Sequence, residues 1–563
     1  FVQENIRFML CKIFLGIACL PVRSFPNLSD SKDVSIYYAS KLCINGGVAI
    51  FVSQSRSVRT TIERIIDLHV REYDLSQIME ICNKEELKKL SVHISDYYGL
   101  DHPYSLACSI GVVPHYSNLP NGLRIAIEHA FRTKAVGFVV CTSTLAQGVN
   151  IPIRYLFMTS FMVSNSSMQI RNFQNLMGRT ARSGMYTEGS VMVTDTKIYD
   201  QKNDRKHGGN YKWRDHIRMF DANSAEPCSS SILMLVKDFV IDFDTYVEGE
   251  RIGNYIIEHY LDTNCFEILA EKLNKAYLKK KPSRSQNNIY QSAMLLKTVT
   301  HSIENHLCYV YSMDQEGDKL NMAKDLCLNS LAYSLADEKE RVLLEEIFAT
   351  IAEKIANLNP IQIANFSKAM VGVDLSIEIE AWLEQQKLTD NNINEQQLLI
   401  LIIEFFKSTH KIRKAETEFD AICELWLAGE TYNKMHLATN VSFSDLEDIC
   451  SKTISYELSY FIGNIIDVIE IKEEDIYDPC TSLSLLQRKI KYGVPNETSV
   501  SICEKIFNDR IIAYQLSGVI DNDCIGSESI IGVVKSYQDE ISAVLNRYPS
   551  YFQKRLDWLC KDN

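Results

Sequence analysis

The sequence predicts an α/β domain, with a parallel sheet covered by helices on both faces, followed by a mostly α-helical region. Between about residues 40 and 200, short apolar runs alternate with amphipathic stretches, as in parallel strands joined by helices. The apolar runs are Val48–Val52, Phe138–Cys141, Leu156–Phe161 and Val191–Val193. The amphipathic stretches include Gly122–Phe131 and Ser167–Arg182.

Beyond about residue 229, glycine and proline become sparse and helical periodicity continues to the end of the chain. The run Leu398–Phe406 is apolar nearly all round, so it predicts a central helix that is buried on several sides. No repeat of fixed period is evident, which argues against a regular solenoid.

The composition is that of a multi-domain protein, since 563 residues with 46% hydrophobic content can form several buried cores. The 16 cysteines are scattered without CxxC pairs or zinc-type spacing, which favours reduced thiols in a cytoplasmic protein over a disulfide framework. The apolar stretch Phe8–Val22 contains Lys12 and is shorter than the ~20 residues of a membrane span. We expect it to form a core helix.

Charge is distributed unevenly along the chain. Residues 1–200 contain 20 Lys and Arg against 16 Asp and Glu, whereas residues 201–563 contain 39 against 56. A mildly basic domain beside an acidic remainder fits a nucleic-acid contact confined to one face, although many soluble domains have such a balance.

The stretch QNLMGRTARSG contains Gln174, Gly178, Arg179 and Arg182. Residues three apart on a helix share a face, so a helix here would point both guanidiniums at one anion. Arginine binds phosphate through paired planar donors and suits the charge of a phosphoryl transfer. The pattern therefore favours nucleotide chemistry, and the alternative is a solvated surface with ordinary salt bridges.

A second stretch, TSTLAQGVNIP, follows the apolar run Phe138–Cys141 directly. Open α/β sheets bind ligands at the carboxyl ends of their strands, where hydroxyls and free N–H groups are available. The sequence therefore predicts a ligand-binding loop after this strand. Its candidate residues are Thr142, Ser143, Thr144, Gly148 and Asn150.

These stretches resemble known helicase motifs. TSTLAQGVNIP resembles motif V, and QNLMGRTARSG resembles motif VI, of superfamily 2 helicases of the superkiller-like DExH branch. The strand at Val48 followed by SQSRSVRTTIERI is similar to motif IV. GVVPHYSNLPNGLRIAIEHAF resembles the family's HHxGLPxxxRxxVExxF segment, with Tyr116 in place of the second histidine and Asn118 in place of the glycine.

The resemblance implies a role for each matching position. Arg179 and Arg182 would contact the γ-phosphate of ATP as catalytic residues together with Gln174, and Gly148, Asn150 and Gly178 would lie at the ATP site. The positions that would bind nucleic acid are Thr142, Ser143, Thr144, Ser53, Arg56 and His115. Hydroxyls and N–H groups bind phosphates without reading bases, as a translocase requires.

The family also has an ATP-binding domain, whose motifs this sequence does not contain. No Gly-Lys dipeptide occurs, so there is no GxxxxGK[ST] loop, and neither Asp337-Glu338 nor Asp539-Glu540 continues as a DExH box. We expect ATP and Mg²⁺ to be held mainly by an N-terminal RecA-like domain in a longer protein. Residues 1–563 alone are expected to be inactive.

The resemblance suggests four segments. They are a helical lead-in over 1–40, the second RecA-like domain over 41–200, a linker with a helical or winged-helix-like connection over 201–300, and an all-helical domain over 301–563. The polar stretch 199–216 has two interpretations. Its aromatic and basic residues, such as Tyr211 and Trp213, could stack bases, or the stretch could be a solvated connection.

Two stretches of the tail carry a weaker resemblance. Leu425–Glu430 is similar to the WxxG segment of superkiller-like helicases. LLQRKIKYG and SICEKIFNDRIIA resemble bacterial helicases of antiphage defence systems such as Hachiman. The alternative is structural: Trp426 would anchor a core, Gly429 would cap a helix, and Asp509 and Arg510 would form a surface ion pair.

The sequence thus predicts part of an ATP-dependent helicase or translocase that binds DNA or RNA, as a single strand or a duplex junction, and does not contact a membrane. The alternative is a non-catalytic nucleic-acid-binding or scaffold module that recruits a partner such as a nuclease subunit. The departures at Tyr116 and Asn118 slightly favour the scaffold alternative. The matches to motifs V and VI favour the helicase more strongly.

Overall fold

The computed structural model describes residues 25–146, 151–163, 166–180, 186–203, 210–237, 252–262, 264–280, 287–388, 393–469, 479–520 and 529–561. They form two compact units. Unit 1 contains the described residues of 25–226, 410–457 and 488–561, and unit 2 contains those of 227–409 and 458–487. Each unit is described by itself below.

A parallel five-stranded sheet is the centre of unit 1. Its strands are β1 Val48–Phe51, β2 Val112–His115, β3 Phe138–Cys141, β4 Tyr155–Met158 and β7 Ser190–Val193, in the spatial order β2-β3-β1-β4-β7. All four residues of β1 are fully buried. Because successive side chains of a strand point to opposite faces, both faces of the sheet are covered at β1.

Of the nine helices of unit 1 before residue 227 in the described chain, seven precede or connect these strands and two follow β7. They are α1 Ser31–Leu42, α2 Ser55–Val70, α3 Ser76–Glu80, α4 Lys84–Tyr98, α5 Pro103–Ser109, α6 Asn121–Arg132, α7 Ile170–Met177, α8 Thr196–Asp200 and α9 Tyr211–Phe220. The apolar positions of α2 recur at helical spacing, and Val58, Ile62 and Ile65 are buried against the sheet domain. A short antiparallel hairpin, β5 Met162–Val163 and β6 Ser166–Ser167, lies between β4 and α7.

The α/β prediction is confirmed. The four predicted strands all form, each within a few residues of its predicted bounds, and the predicted helix Gly122–Phe131 lies within α6. The edge strand β2 was not predicted, because its four residues include a proline and a histidine. An edge position tolerates proline because one side of the strand has no hydrogen-bonded neighbour.

The rest of the described chain is helical. The helices are α10 Ile252–His259, α11 Cys265–Lys280, α12 Asn287–Met313, α13 Lys319–Leu328, α14 Leu331–Leu335, α15 Glu338–Ala356, α16 Pro360–Phe366, α17 Val373–Gln386, α18 Glu395–Thr409, α19 Phe419–Leu427, α20 Tyr432–Thr439, α21 Phe443–Asp448, a π-helical segment Ile449–Leu458, α22 Ser459–Val468, α23 Cys480–Tyr492, α24 Glu497–Lys505, α25 Arg510–Ser517, α26 Ile530–Ser536, α27 Gln538–Leu545 and α28 Ser550–Cys560. Short 3₁₀ turns occur at Cys43–Asn45, Ser143–Ala146, Gln201–Asn203, Ala222–Ser224 and Ser231–Leu235.

The helices after residue 409 are divided between the units. Those of 410–457 and of 488–561 belong to the same compact unit as the parallel sheet. The structure therefore groups the residues differently from the four sequence-based segments, because buried polar contacts join these helices to the sheet domain. Unit 2 is assembled from α10–α18, α22 and the first part of α23, up to Gln487, with a smaller core of its own.

The predicted central helix of unit 2 corresponds to α18. Leu398, Ile402 and Phe406 are buried, and the ring of Phe405 stacks on Trp382 at 4.8 Å between centroids. Ile400 is 48% exposed, so one side of α18 faces solvent and the helix is buried less completely than predicted.

All thirteen cysteines in the described part of the chain are free thiols, and ten of them are buried. Among the described helices, none is both long and apolar enough to cross a membrane. The predicted core helix over Phe8–Val22 lies outside the described residues.

Candidate nucleotide and nucleic-acid site

The carboxyl ends of β1 and β3 meet at one edge of the sheet, because the two strands are parallel neighbours with Phe51 opposite Cys141. Thr142 follows β3, and its hydroxyl lies 3.2 Å from the hydroxyl of Thr144. Ser143 and Thr144 are half-buried in the 3₁₀ turn that begins there. Ser53 follows β1 and is also half-buried. The structure therefore brings these predicted nucleic-acid residues to a common edge.

Arg56 lies in the first turn of α2 and is exposed. The N-terminus of α2 has no side-chain cap, and it brings the Arg56 guanidinium near the same edge. Arg56 also lines a cleft of about 390 Å³ together with Arg59 and His102. This end of α2 offers positive charge and hydrogen-bond donors, which suits an anionic backbone.

His115 ends β2 at the same edge but is fully buried. Its Nε2 is hydrogen-bonded to Oε1 of Glu128 at 2.9 Å. In this conformation the imidazole of His115 has no exposed surface through which it could contact a nucleic-acid strand. Its position instead fixes the end of β2 against α6, which carries Glu128.

The motif VI region differs from the sequence-based expectation. Helix α7 ends at Met177, and Gly178 is its C-cap. The amides of Arg179 and Thr180 bond back to Leu176 and Met177 at 3.1 and 2.9 Å, and Thr180 forms a parallel bridge with Ile153. Arg179 therefore lies in a turn, and the expectation of a helix extending to Arg182 was wrong at this position. The bridge to the segment after motif V pulls the chain out of helical geometry.

Gln174 lies on α7 and is half-buried. Its Nε2 donates to the carbonyl of Asp221 at 3.3 Å. The predicted residues Gly148, Asn150 and Arg182 lie outside the described residues.

Glu226 is a contributor to this region that sequence reasoning missed. Its carboxylate accepts hydrogen bonds from the amides of Ile170 and Arg171, at 2.6 and 3.2 Å, and so caps the N-terminus of α7. Partial burial opposes ionisation of Glu226, but these hydrogen bonds lower its pKa. No local pattern could have revealed this cap, because the cap residue is more than fifty positions away in sequence.

Tyr116 and Asn118, the two residues that depart from the family segment, form hydrogen bonds with residues of the C-terminal helices. The hydroxyl of Tyr116 donates to Oε1 of Glu447 at 2.7 Å, and Tyr98 donates to the same oxygen at 2.8 Å. The amide of Asn118 donates to the carboxylate of Asp448. Burial raises the pKa of Glu447 to about 7, although the two tyrosines stabilise its carboxylate. Both replacements therefore bind consecutive acids of α21.

Asp509 and Arg510 do not form the predicted surface ion pair, because both are buried. Asp509 accepts from Nε2 of His93 at 2.8 Å and caps α25 through the amide of Ile512. Arg510 donates to three carbonyls, those of Gly493, Glu430 and Trp426, at 2.8 to 3.0 Å.

The other structural expectations for this tail can be compared with the structure directly. The guanidinium of Arg510 lies 3.8 Å from the ring centroid of Trp426, which is buried as predicted for a core anchor. Gly429 follows the C-cap of α19 with a φ of +77°, as predicted for a glycine that ends a helix.

Within the part of the chain that the structure describes, no cluster of three or more His, Cys, Asp or Glu side chains could hold a metal ion. The chemistry of the described edge is that of hydroxyls, amides and guanidiniums. These groups fit the phosphates of a nucleotide or a nucleic acid rather than a divalent cation.

The parallel sheet with its covering helices is that of a RecA-like fold. Residues 60–184 match the family described as the helicase conserved C-terminal domain. The chain thus carries a superfamily 2 helicase C-terminal domain.

Three relatives extend this result. The chain is 23% identical over 537 residues to Hachiman protein HamB of Bacillus cereus, which covers 88% of this chain and 43% of that protein. It is 33% identical over 92 residues to Helicase POLQ-like of Homo sapiens, covering 16% of this chain and 8% of that protein. It is 30% identical over 92 residues to ATP-dependent DNA helicase Hel308 of Aeropyrum pernix, covering 16% of this chain and 12% of that protein. The chain spans less than half the length of each.

Proposed function

We propose that this chain supplies the second RecA-like domain and the helical C-terminal region of an ATP-dependent nucleic-acid helicase or translocase. The observation that carries the proposal is the common sheet edge formed by Ser53 and Thr142–Thr144, within a domain that matches the helicase C-terminal family. Parallel α/β sheets bind their ligands at this edge.

In the proposed cycle, ATP binds an N-terminal RecA-like domain that also holds Mg²⁺. Arg179 and Arg182 reach across to the γ-phosphate, where guanidiniums stabilise the charge that develops during phosphoryl transfer. Gly148, Asn150 and Gly178 complete the ATP site on this side. Gln174 acts with these arginines and links their contact to neighbouring motifs, and its hydrogen bond to the carbonyl of Asp221 ties α7 to the end of α9.

The nucleic-acid backbone, of DNA or RNA, lies along the edge beside Ser53, Arg56 and Thr142–Thr144. These groups bind phosphates and not bases, so a strand can be released and rebound in a new register. His115 contributes indirectly, since its contact with Glu128 fixes the end of β2. Closing and reopening of the two RecA-like domains then moves the strand.

The match to HamB over 88% of this chain supports a role in antiphage defence, in the cytoplasm and with a partner subunit such as a nuclease. The scaffold alternative rested on the departures at Tyr116 and Asn118. Both residues have hydrogen-bond partners in α21, the buried Glu447 and the half-buried Asp448, so these departures do not require a lost motor.

The test uses the purified protein together with the ATP-binding domain that the proposal requires. Arg179→Ala and Arg182→Ala should each lower nucleic-acid-stimulated ATP hydrolysis by about 10³-fold or more, since arginine fingers contribute on that scale. Binding of a labelled single strand should remain near the wild-type level. Arg132→Ala, an exposed residue of α6, is the matched control and should hydrolyse ATP normally.

Equal ATP hydrolysis by the wild type and both arginine variants would overturn the arginine-finger assignment. If the purified protein and its associated subunits show no ATP hydrolysis, the helicase proposal is overturned and the scaffold alternative is favoured.

A further inference from the structure

Helix α9 presents an aromatic and basic face that the proposed nucleotide site does not use. Tyr211, Arg214 and Arg218 recur at intervals of three and four residues, so they share one face, and all three are exposed. Tyr211 is 53% exposed. This face therefore combines an aromatic ring, which can stack on a base, with two guanidiniums, which can bind phosphates.

A second aromatic and basic group lies around Trp213, which is two residues from Tyr211 and therefore on a different side of α9. Tyr199 is 67% exposed and makes an edge contact with Trp213, at 5.9 Å between ring centroids. The ammonium of Lys202 lies 5.2 Å from the centroid of Trp213 and 5.8 Å from that of Tyr199. We call the exposed face formed by Tyr211, Arg214 and Arg218 the α9 patch, and the group around Trp213 is separate from it.

The α9 patch is positive in an acidic protein. Helix α9 carries Lys212, Arg214 and Arg218 against Asp215 alone, whereas the whole chain has a net charge of −13. In the described part of the chain, neither Arg214 nor Arg218 forms a salt bridge with a carboxylate. A local concentration of unneutralised cations selects an anionic partner.

Helix α9 is fastened to the motif VI helix α7. The rings of Phe173 and Phe220 meet at 5.0 Å, and Gln174 donates to the carbonyl of Asp221 directly after α9. Further along, Glu226 caps the N-terminus of α7. A displacement of α7 at the nucleotide site would therefore carry α9 with it.

We propose that the α9 patch is a binding surface for single-stranded nucleic acid, and that its attachment to α7 makes it move with the arginine-bearing turn. This inference rests on the proposed function and adds a second contact surface to it. The ring of Tyr211 stacks on a base and the guanidiniums bind phosphates, which gives binding without sequence preference. Such a surface would hold the strand while the sheet edge changes register.

The experiment measures binding of fluorescein-labelled oligo(dT) and oligo(U) to the full protein as a function of salt. Tyr211→Ala should weaken binding by about 10-fold, and Tyr211→Phe should restore it, because the ring and not the hydroxyl stacks on a base. The double variant Arg214→Glu/Arg218→Glu should weaken binding further. It should also make the salt dependence shallower. The magnitude of the slope of log affinity against log salt should decrease by about 1.4, the value for two lost phosphate contacts on a single strand.

The matched control is Lys84→Glu/Lys88→Glu on α4, which makes the same charge change on another exposed helix of unit 1. Its binding should fall less than that of the α9 variant, and its salt slope should stay near the wild-type value. Urea unfolding confirms that each variant is folded.

The outcomes separate this inference from the proposed function. If the wild type binds oligonucleotide and the α9 variants bind equally well, the patch is not a nucleic-acid surface and the proposed function stands. If the wild type binds neither oligonucleotide, both fail. If the α9 variants keep oligonucleotide binding but lose a co-purifying protein, the patch is a protein interface and the inference is overturned.

Discussion

Two polar networks of unit 1 differ in how far they are removed from solvent. The network around motif VI, which includes Gln174 and Glu226, consists of half-buried groups and hydrogen bonds to backbone atoms. The network around α21 and α25 consists of Glu447, Asp509 and Arg510, which are almost fully buried. The first lies partly in solvent at the proposed nucleotide site, and the second lies in the interior where the C-terminal helices meet the sheet domain.

This difference in burial suits two different roles: partly exposed groups can exchange hydrogen-bond partners during a reaction, and fully buried groups keep the partners they have. A residue that meets a ligand in one state and water in another cannot be deeply buried with every hydrogen bond satisfied. A buried polar network costs much to break, so it fixes one arrangement of helices. We infer that the α21 and α25 contacts hold the helical segments to the sheet domain throughout a cycle, while the motif VI turn is the part that moves.

The largest effect is expected at Arg510. Arg510→Ala leaves three carbonyls without their donor and removes the cation from the face of Trp426. The free energy of unfolding should fall by about 3 kcal/mol or more. Urea unfolding of the protein measures this loss.

Arg488→Ala is the control for Arg510. Arg488 pairs with Glu504 at 2.7 Å near the surface of the same unit. Because exposed pairs contribute little, the loss should stay below about 1 kcal/mol. Similar losses for both arginines would contradict the contrast between a buried and a solvated network.

Glu447 gives a pH-dependent effect of intermediate size. Its pKa is about 7 in the folded chain because the carboxyl is buried, so the folded state binds a proton more tightly than the unfolded state. Stability from this group is complete below its ordinary pKa near 4.5 and is lost as the pH rises through about 7.

Glu447→Gln should remove this loss while leaving an oxygen that can accept from Tyr98 and Tyr116. The difference in unfolding free energy between variant and wild type should shift by roughly 2–3 kcal/mol in favour of the variant between about pH 5 and about pH 8. Glu424→Gln, an exposed residue of α19, should give no such pH-dependent difference. A constant difference for Glu447→Gln at all pH values would mean that the carboxyl does not titrate in this range.

The smallest effect is expected at Glu226. Glu226→Ala removes the carboxylate that caps α7, which should cost about 1 kcal/mol, the usual contribution of a helix cap. Hydrogen exchange of the first amides of α7 should accelerate, while the amides of α25 keep their protection. Unchanged exchange at Ile170 and Arg171 would show that water replaces the cap without loss.

Local sequence patterns predicted the sheet domain well. Four strands and α6 followed from hydrophobic periodicity, because a buried strand or an amphipathic helix needs apolar residues at fixed spacing. The same reasoning extended the motif VI helix too far. Nothing in the spacing of Gln174 and Arg179 revealed that Thr180 would pair with Ile153 and end the helix early.

The sequence by itself determined the α/β class, the order of the helicase motifs and the buried anchor Trp426, because these depend on neighbouring residues and on periodicity. Only the tertiary structure decided that Asp509 and Arg510 are buried and that Tyr116 pairs with Glu447, since those partners lie up to 416 positions apart in the chain. From the sequence alone, a charged residue is expected to be exposed to solvent. Folding can bury it when distant backbone carbonyls and side chains supply all of its hydrogen bonds.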